Sequence, residues 1–211
     1  MNSSLIMIGS GGHAKVLVEI LQRQNIQIEG IITPDKELES KVFANIPVLG
    51  DDSIFDQLNH KNCIIINGIG SVPGNKLRFE KYKQLKELNY KFSTVLSKEA
   101  IISDYSNIEE GVQVMNGSII QSDVSIGANS IINTGSIIEH DCVIGRHNHI
   151  APGVALSGNV KTGDHVHIGT GASIIQGIDI ASGSVIGAGA NITRNVKEKE
   201  VVLPPQSKSK P

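Results

Sequence analysis

The sequence predicts a chain of two parts, an α/β domain built on a parallel sheet followed by a β-solenoid. Two observations carry this reading. From residue 102 onward an aliphatic side chain returns every six residues, and before residue 97 short apolar runs alternate with helical patterns around a glycine-rich turn. The expected divisions are 1–97 for the first domain, 98–196 for the solenoid and 197–211 for a C-terminal tail.

In the first part, Leu5-Ile6-Met7-Ile8 runs into Gly9-Ser10-Gly11-Gly12-His13, and Val16, Leu17, Ile20 and Leu21 then repeat with helical spacing. Extended segments follow at Ile28 to Ile32, Ile46 to Leu49 and Cys63 to Asn67. Asp51-Asp52 is placed to cap a helix over 53–59. Lys76 to Leu88 reads as a charged amphipathic helix and Phe92 to Leu96 as a last strand. Strands alternating with helices imply a parallel, Rossmann-like sheet.

The glycine-rich turn lies between a strand and a helix, where backbone N–H groups can face an anion at a helix N-terminus. Gly9-x-Gly11-x-x-Ala14 also fits the loose dinucleotide fingerprint, with Asp35 as the ribose partner. A tight strand–helix turn needs glycine even without a ligand. About 95 residues make only one mononucleotide half, which favours a nucleotide or nucleotide-sugar diphosphate over a full dinucleotide. Asn67-Gly68-Ile69-Gly70 follows a later strand and would complete the pocket at the same sheet edge.

In the second part the aliphatic series runs Ile102, Ile108, Val114 and on to Ile192, and fifteen of its sixteen members are Ile, Val or Leu; Thr162 alone departs. A small or β-branched residue follows four places later, as at Ser118, Ser130, Cys142, Val154 and Ala172. A period of six is neither helical nor simple strand alternation. It reads as a short strand plus a turn, with Gly and Asn at corners of positive φ. Three units make one coil of a triangular prism, so sixteen units give about five coils.

Composition excludes several classes. Net charge is -2, with 19 basic and 21 acidic residues, and Lys and Arg do not cluster with aromatics, so nucleic acid is not an expected partner. No segment approaches the roughly 18 apolar residues of a membrane span. The N-terminus lacks the basic and apolar regions of a signal peptide. Two widely separated cysteines, Cys63 and Cys142, suit a reducing compartment and hence the cytoplasm.

The segment Ile138 to His149 holds three of the seven histidines. His140 and His149 are half a coil apart and therefore on different faces of one prism; a trimer of parallel prisms could bring one subunit's His140 to its neighbour's His149. A histidine titrating near neutrality suits removal of a proton from an attacking amine or hydroxyl, with Asp141 fixing its tautomer. A backbone N–H at a Gly-rich corner suits a developing oxyanion. A solvated, chemically idle face and a metal cluster of His140, His147, His165 and His167 are the alternatives; no Cys or carboxylate completes the latter, and no metal is expected.

Gly9-Ser10-Gly11-Gly12-His13-Ala14, followed by Asn133-Thr134-Gly135-Ser136-Ile137-Ile138-Glu139-His140-Asp141-Cys142 within a hexapeptide solenoid, resembles the bacterial sugar O-acyltransferases of sialic-acid type and the nucleotide-sugar N-acetyltransferases of bacillosamine biosynthesis. The resemblance implies a left-handed β-helix, a homotrimer, and acetyl-CoA as co-substrate for a nucleotide-sugar acceptor, the amine of a nucleotide-linked 4-amino-sugar such as a UDP-4-amino-4,6-dideoxy sugar. It makes His140 the general base with Asp141 as partner, and sets Asn133 and His149 around the acceptor amine and acetyl group. It also gives the Gly158 N–H to the thioester oxygen and places Thr170 and Ala188 beside the pantetheine arm. Gly11, Gly12 and His13 would lie near the phosphates, Asp35 near the base and Gly68 at the pocket. O-acetylation of a sialic acid, a non-catalytic nucleotide-sensing partner and a metal-dependent lyase are the competing functions. Two features depart from the family: Thr33-Pro34 replaces the usual acidic partner before Asp35, and the C-terminus reads Val202-Leu203-Pro204-Pro205, where Lys208 and Lys210 could meet coenzyme phosphates on a tail otherwise expected to fray.

Overall fold

The computed structural model describes residues 4–205 as two compact units, 4–98 with 110–112, and 99–109 with 113–205. In the first, β1 (Ser4–Ile8), β2 (Gly30–Ile32), β3 (Val48–Gly50), β4 (Cys63–Asn67) and β5 (Lys91–Phe92) form one sheet in the order β3-β2-β1-β4-β5. All its pairings are parallel. Its central strands are almost wholly apolar because a parallel sheet is covered on both faces, and Met7, Ile31, Ile65 and Ile66 are fully buried. Helix α1 (Gly12–Arg23) buries Ala14, Leu17, Val18, Ile20 and Leu21 and ends where Asn25 turns left-handed.

Three local expectations are corrected. The helix expected at 53–59 is a short 3₁₀ turn, Asp52–Asp56, whose cap Asp51 accepts from the Ser53 N–H at 3.0 Å. The strand expected at 92–96 breaks in two because the chain changes partner: the Ser93 N–H bonds to Ile65 O, and the Val95 N–H to Val112 O. Helix α2 (Leu77–Glu87) is not simply amphipathic, since its buried residues are Leu85 and Arg78.

In the second unit the hexad positions stack at a register of one coil, with Ile120 on Ile138, Leu156 on Ile138, and Ile174 on Leu156. One face runs from Ile101–Ile102 to Asn191–Ile192 and the next from Asn107–Ile108 to Asp179–Ile180; a third rises from Gln113–Val114. Positive φ recurs at every sixth residue from Gly111 to Gly189. Asp and His occupy this corner position as well as the expected Gly and Asn: Asp123, Asp141, His147 and His165 all have φ near 60°.

Thr162 departs from the aliphatic series because it serves a buried amide. The Asn148 Nδ2 donates to Thr162 Oγ1 at 2.6 Å, Gly145 N–H to the same oxygen at 3.1 Å, and Asn148 Oδ1 accepts from the Val166 N–H at 2.7 Å. Val at 162 would preserve shape and remove the acceptor, stranding part of a buried amide. Thr162→Val is expected to lower stability by about 2 kcal/mol, read as a fall of several degrees in the thermal midpoint.

The solenoid also extends past the boundary expected at 196. Val201–Val202 adds to the third face beside Val185–Ile186, satisfying a sheet edge that would otherwise end there. Arg194 and Glu200 close the intervening loop at 2.7 Å, and that contact holds the Glu200 carboxyl down at about 2. Lys208 and Lys210 lie outside the described residues. Among the described residues no helix is long and apolar enough to cross a membrane.

Candidate active site

His140 and Asp141 form the corner that follows strand Ile137–Ile138. The left-handed φ of 62° at Asp141 turns its carboxylate back on its neighbour, and His140 Nδ1 lies 2.7 Å from Asp141 Oδ2. That bond is the largest influence and raises the imidazole pKa; desolvation opposes it, and the charges of Asp141 and Glu139 add to it. A carboxylate at Nδ1 holds the proton there and leaves Nε2 as the basic nitrogen. Both side chains are more than half exposed.

One coil further, Gly158 stacks on this corner, and the Asn159 N–H bonds to His140 O at 2.9 Å. A Cβ on Gly158 would stand 2.6 Å from His140 Cε1 and 2.8 Å from Nε2. The imidazole therefore lies directly against a backbone that only glycine leaves bare.

Asn133 and His149 come together elsewhere, on the third face, where Asn133 Nδ2 and His149 Nε2 are 3.1 Å apart. Within one chain they are on a different side of the prism from His140, as nine residues in an eighteen-residue coil require. His167, beside His149 with ring centroids 4.9 Å apart, was not singled out with this pair; its partly buried ring has a pKa lowered by desolvation. Thr170 and Ala188 occupy the corner between the third and first faces on successive coils, linked by the Gly189 N–H to Thr170 O at 2.9 Å. His147 stacks on His165 at 5.0 Å. Among the described residues no three His, Cys, Asp or Glu side chains gather as a metal site.

In the first unit the glycine-rich turn presents bare backbone. A Cβ on Gly11 or Gly12 would meet nothing within 4 Å among the described residues. Gly12, His13 and Ala14 open α1 ahead of its first intrahelical bond, Lys15 N–H to Gly11 O. Asp35 is tied to the turn through Ser10, a residue sequence reasoning passed over: Ser10 Oγ donates to Asp35 Oδ2 at 2.8 Å and lies 2.8 Å from Thr33 Oγ1. Thr33 therefore orients Ser10 and Asp35 in place of a second acid. Gly68 has a packing task, since its Cβ would come within 2.7 Å of Ile8 O and 3.0 Å of Ala14 Cβ.

Residues 4–85 match the family described as the PglD N-terminal domain, and residues 105–139 and 123–158 match the bacterial transferase hexapeptide (six repeats). No curated protein sequence matches the chain significantly. Among solved structures, PerB from Caulobacter crescentus in complex with CoA and GDP-perosamine is 30% identical with a TM-score of 0.86, over 95% of this chain and 94% of that one. The acetyltransferase domain of PglB from Neisseria gonorrhoeae FA1090 is 29% identical with a TM-score of 0.85, over 96% and 97%; it is also known in complex with acetyl coenzyme A. WeeI from Acinetobacter baumannii AYE is 26% identical with a TM-score of 0.81, over 95% and 96%. With both units matched along nearly their whole length, the chain belongs to the hexapeptide acyltransferase superfamily, in the group of nucleotide-sugar N-acetyltransferases that carry a PglD N-terminal domain.

Proposed function

We propose that this protein transfers the acetyl group of acetyl-CoA to the amine of a nucleotide-linked 4-amino-sugar, with His140 as the base. The observation that carries the reading is the His140–Asp141 pair seated against Gly158. It is supported by relatives whose structures hold CoA with GDP-perosamine, or acetyl coenzyme A. His140 Nε2 takes a proton from the amine as its nitrogen attacks the thioester carbonyl carbon. The carbonyl oxygen becomes an oxyanion facing the Gly158 N–H. Collapse breaks the C–S bond, the thiolate leaves and recovers a proton from the imidazolium, and an amide remains.

The glycine-rich turn and Asp35 hold the nucleotide, which makes the encounter of amine and thioester an oriented one. Asn133 and His149 belong to a neighbouring copy in a homotrimer, since one prism cannot bring them to its own His140. Thr170 and Ala188 flank the pantetheine arm. A cytoplasmic setting suits two buried free thiols, Cys63 and Cys142.

The test is thiol release from acetyl-CoA with UDP- and GDP-linked 4-amino-sugars, alongside the mass in solution. Release with at least one amino-sugar, and none with its 4-hydroxy counterpart, is the expected result, from a particle three times the 22.5 kDa chain. A fully active monomer, or transfer only to a hydroxyl, would overturn it.

A further inference from the structure

Among the described residues, one buried cation has no part in the proposed reaction. Arg78 is 5% exposed in the first turn of α2, and burial lowers its guanidinium pKa to about 9. Enclosing a guanidinium is costly, and an apolar side chain of similar length usually fills such a space at least as well. What the guanidinium can do and an aliphatic chain cannot is bind two oxygens at a set angle.

Those oxygens are on the segment after β4. Arg78 Nη1 donates to Asn67 O at 2.8 Å and to Ile69 O at 2.7 Å. The clasp is reciprocal, because Asn67 Nδ2 donates back to Arg78 O at 3.3 Å while Asn67 Oδ1 accepts from the Ile69 N–H at 3.3 Å. Alternate carbonyls are thus drawn toward α2, which sets the path of residues 67–70.

The clasped segment underlies the glycine-rich turn. The Gly68 N–H bonds to Ile8 O at 2.8 Å. Gly9, with φ +85°, would place a Cβ only 3.1 Å from Ile69 Cγ1, and a Cβ on Gly70 would stand 3.4 Å from His13 Cβ. Contacts this close mean that a shift of the segment is felt at both ends of the turn.

We infer that Arg78 is a positioning residue for nucleotide binding: by clasping Asn67 and Ile69 it holds the segment on which Gly9 and His13 rest, so that the backbone of the glycine-rich turn is preorganised for a nucleoside diphosphate. The inference rests on the nucleotide-binding reading of this unit and adds a residue that touches no ligand. Lysine keeps the charge but not the planar two-oxygen geometry, so Arg78→Lys separates the clasp from the cation.

The experiment uses the full chain as wild type, R78K and R78M. UDP, GDP and dTDP binding is titrated calorimetrically, KM is measured separately for acceptor and acetyl-CoA, and amide exchange is followed over 9–14 and 67–70. The expected result is diphosphate binding weakened at least about tenfold in R78M and less in R78K, faster exchange in both segments, and an acetyl-CoA KM within about twofold of wild type. Should R78M fail to fold, R78K carries the same readouts. Diphosphate binding by a folded variant within about twofold of wild type, with both segments still protected, would sink this inference alone. Failure of wild type to bind any of the three diphosphates would sink the nucleotide reading and the inference together.

Discussion

Replacing His140 by alanine is expected to slow thiol release from acetyl-CoA at least about a hundredfold, the scale of deleting a general base. Acetyl-CoA binding should change little, because the imidazole acts on the amine proton, so the loss falls on kcat. The pH dependence follows from the Asp141 bond. That bond raises the His140 pKa above its ordinary value, and a base works only when unprotonated. The rate should therefore rise with pH through that raised pKa and level off above it. In Asp141→Asn the largest raising cause is gone, so the rising limb should move to lower pH. The plateau should also fall, by about tenfold, because the tautomer is no longer held by a carboxylate. A wild-type rate that falls as pH rises through neutrality, or an H140A rate equal to wild type, would remove His140 from the mechanism.

Gly158→Ala should be nearly as damaging, for a steric reason. Its methyl group would meet His140 Cε1 at 2.6 Å, Nε2 at 2.8 Å and Nδ1 at 3.2 Å, so the ring must swing away from Asp141. The backbone N–H proposed for the oxyanion survives in alanine. A fall of about a hundredfold in kcat is expected, accompanied by a pH limb displaced to lower pH as in D141N. The paired shift is the discriminating readout, because loss of oxyanion stabilisation alone would lower kcat and leave the limb in place. A G158A enzyme with an unmoved limb and a small loss would mean that the ring has room the structure does not show. Thermal unfolding should change little, since the atoms nearest the added methyl group belong to the half-exposed His140 ring, whereas those nearest a Cβ on Gly145 are Gly163 backbone.

Much of the fold is legible in the sequence. The solenoid register was readable because the leading side chain of each hexad and the one four places later both face the prism interior, and an inward position tolerates few residue types; Ile138, Ile144 and Ile150 are all buried. The turn before α1 and the exact span of β4 were readable because glycine and unbroken apolar runs are strong local signals. The short 3₁₀ turn at 52–56 and the split at 92–96 were not, because their outcome depends on which distant carbonyl a backbone N–H meets.

The candidate site divides the same way. His140 and Asp141 are neighbours in the chain, so their pairing was visible in the sequence. Ser10 with Asp35 was missed because twenty-five residues separate them and serine in a turn carries no distinctive signal. Arg78 was missed because a charged residue in a helix rich in Lys and Glu looks like part of its solvated side.

The sequence alone determined the winding of the second unit, the parallel sheet of the first and the identity of the imidazole–carboxylate pair, since each follows from local periodicity or adjacency. Tertiary structure alone decided that Gly158 lies against the His140 ring, that Thr162 serves Asn148 and that Arg78 clasps Asn67 and Ile69. Each of these depends on atoms brought together by folding, at distances of a few ångströms that spacing along the chain does not encode.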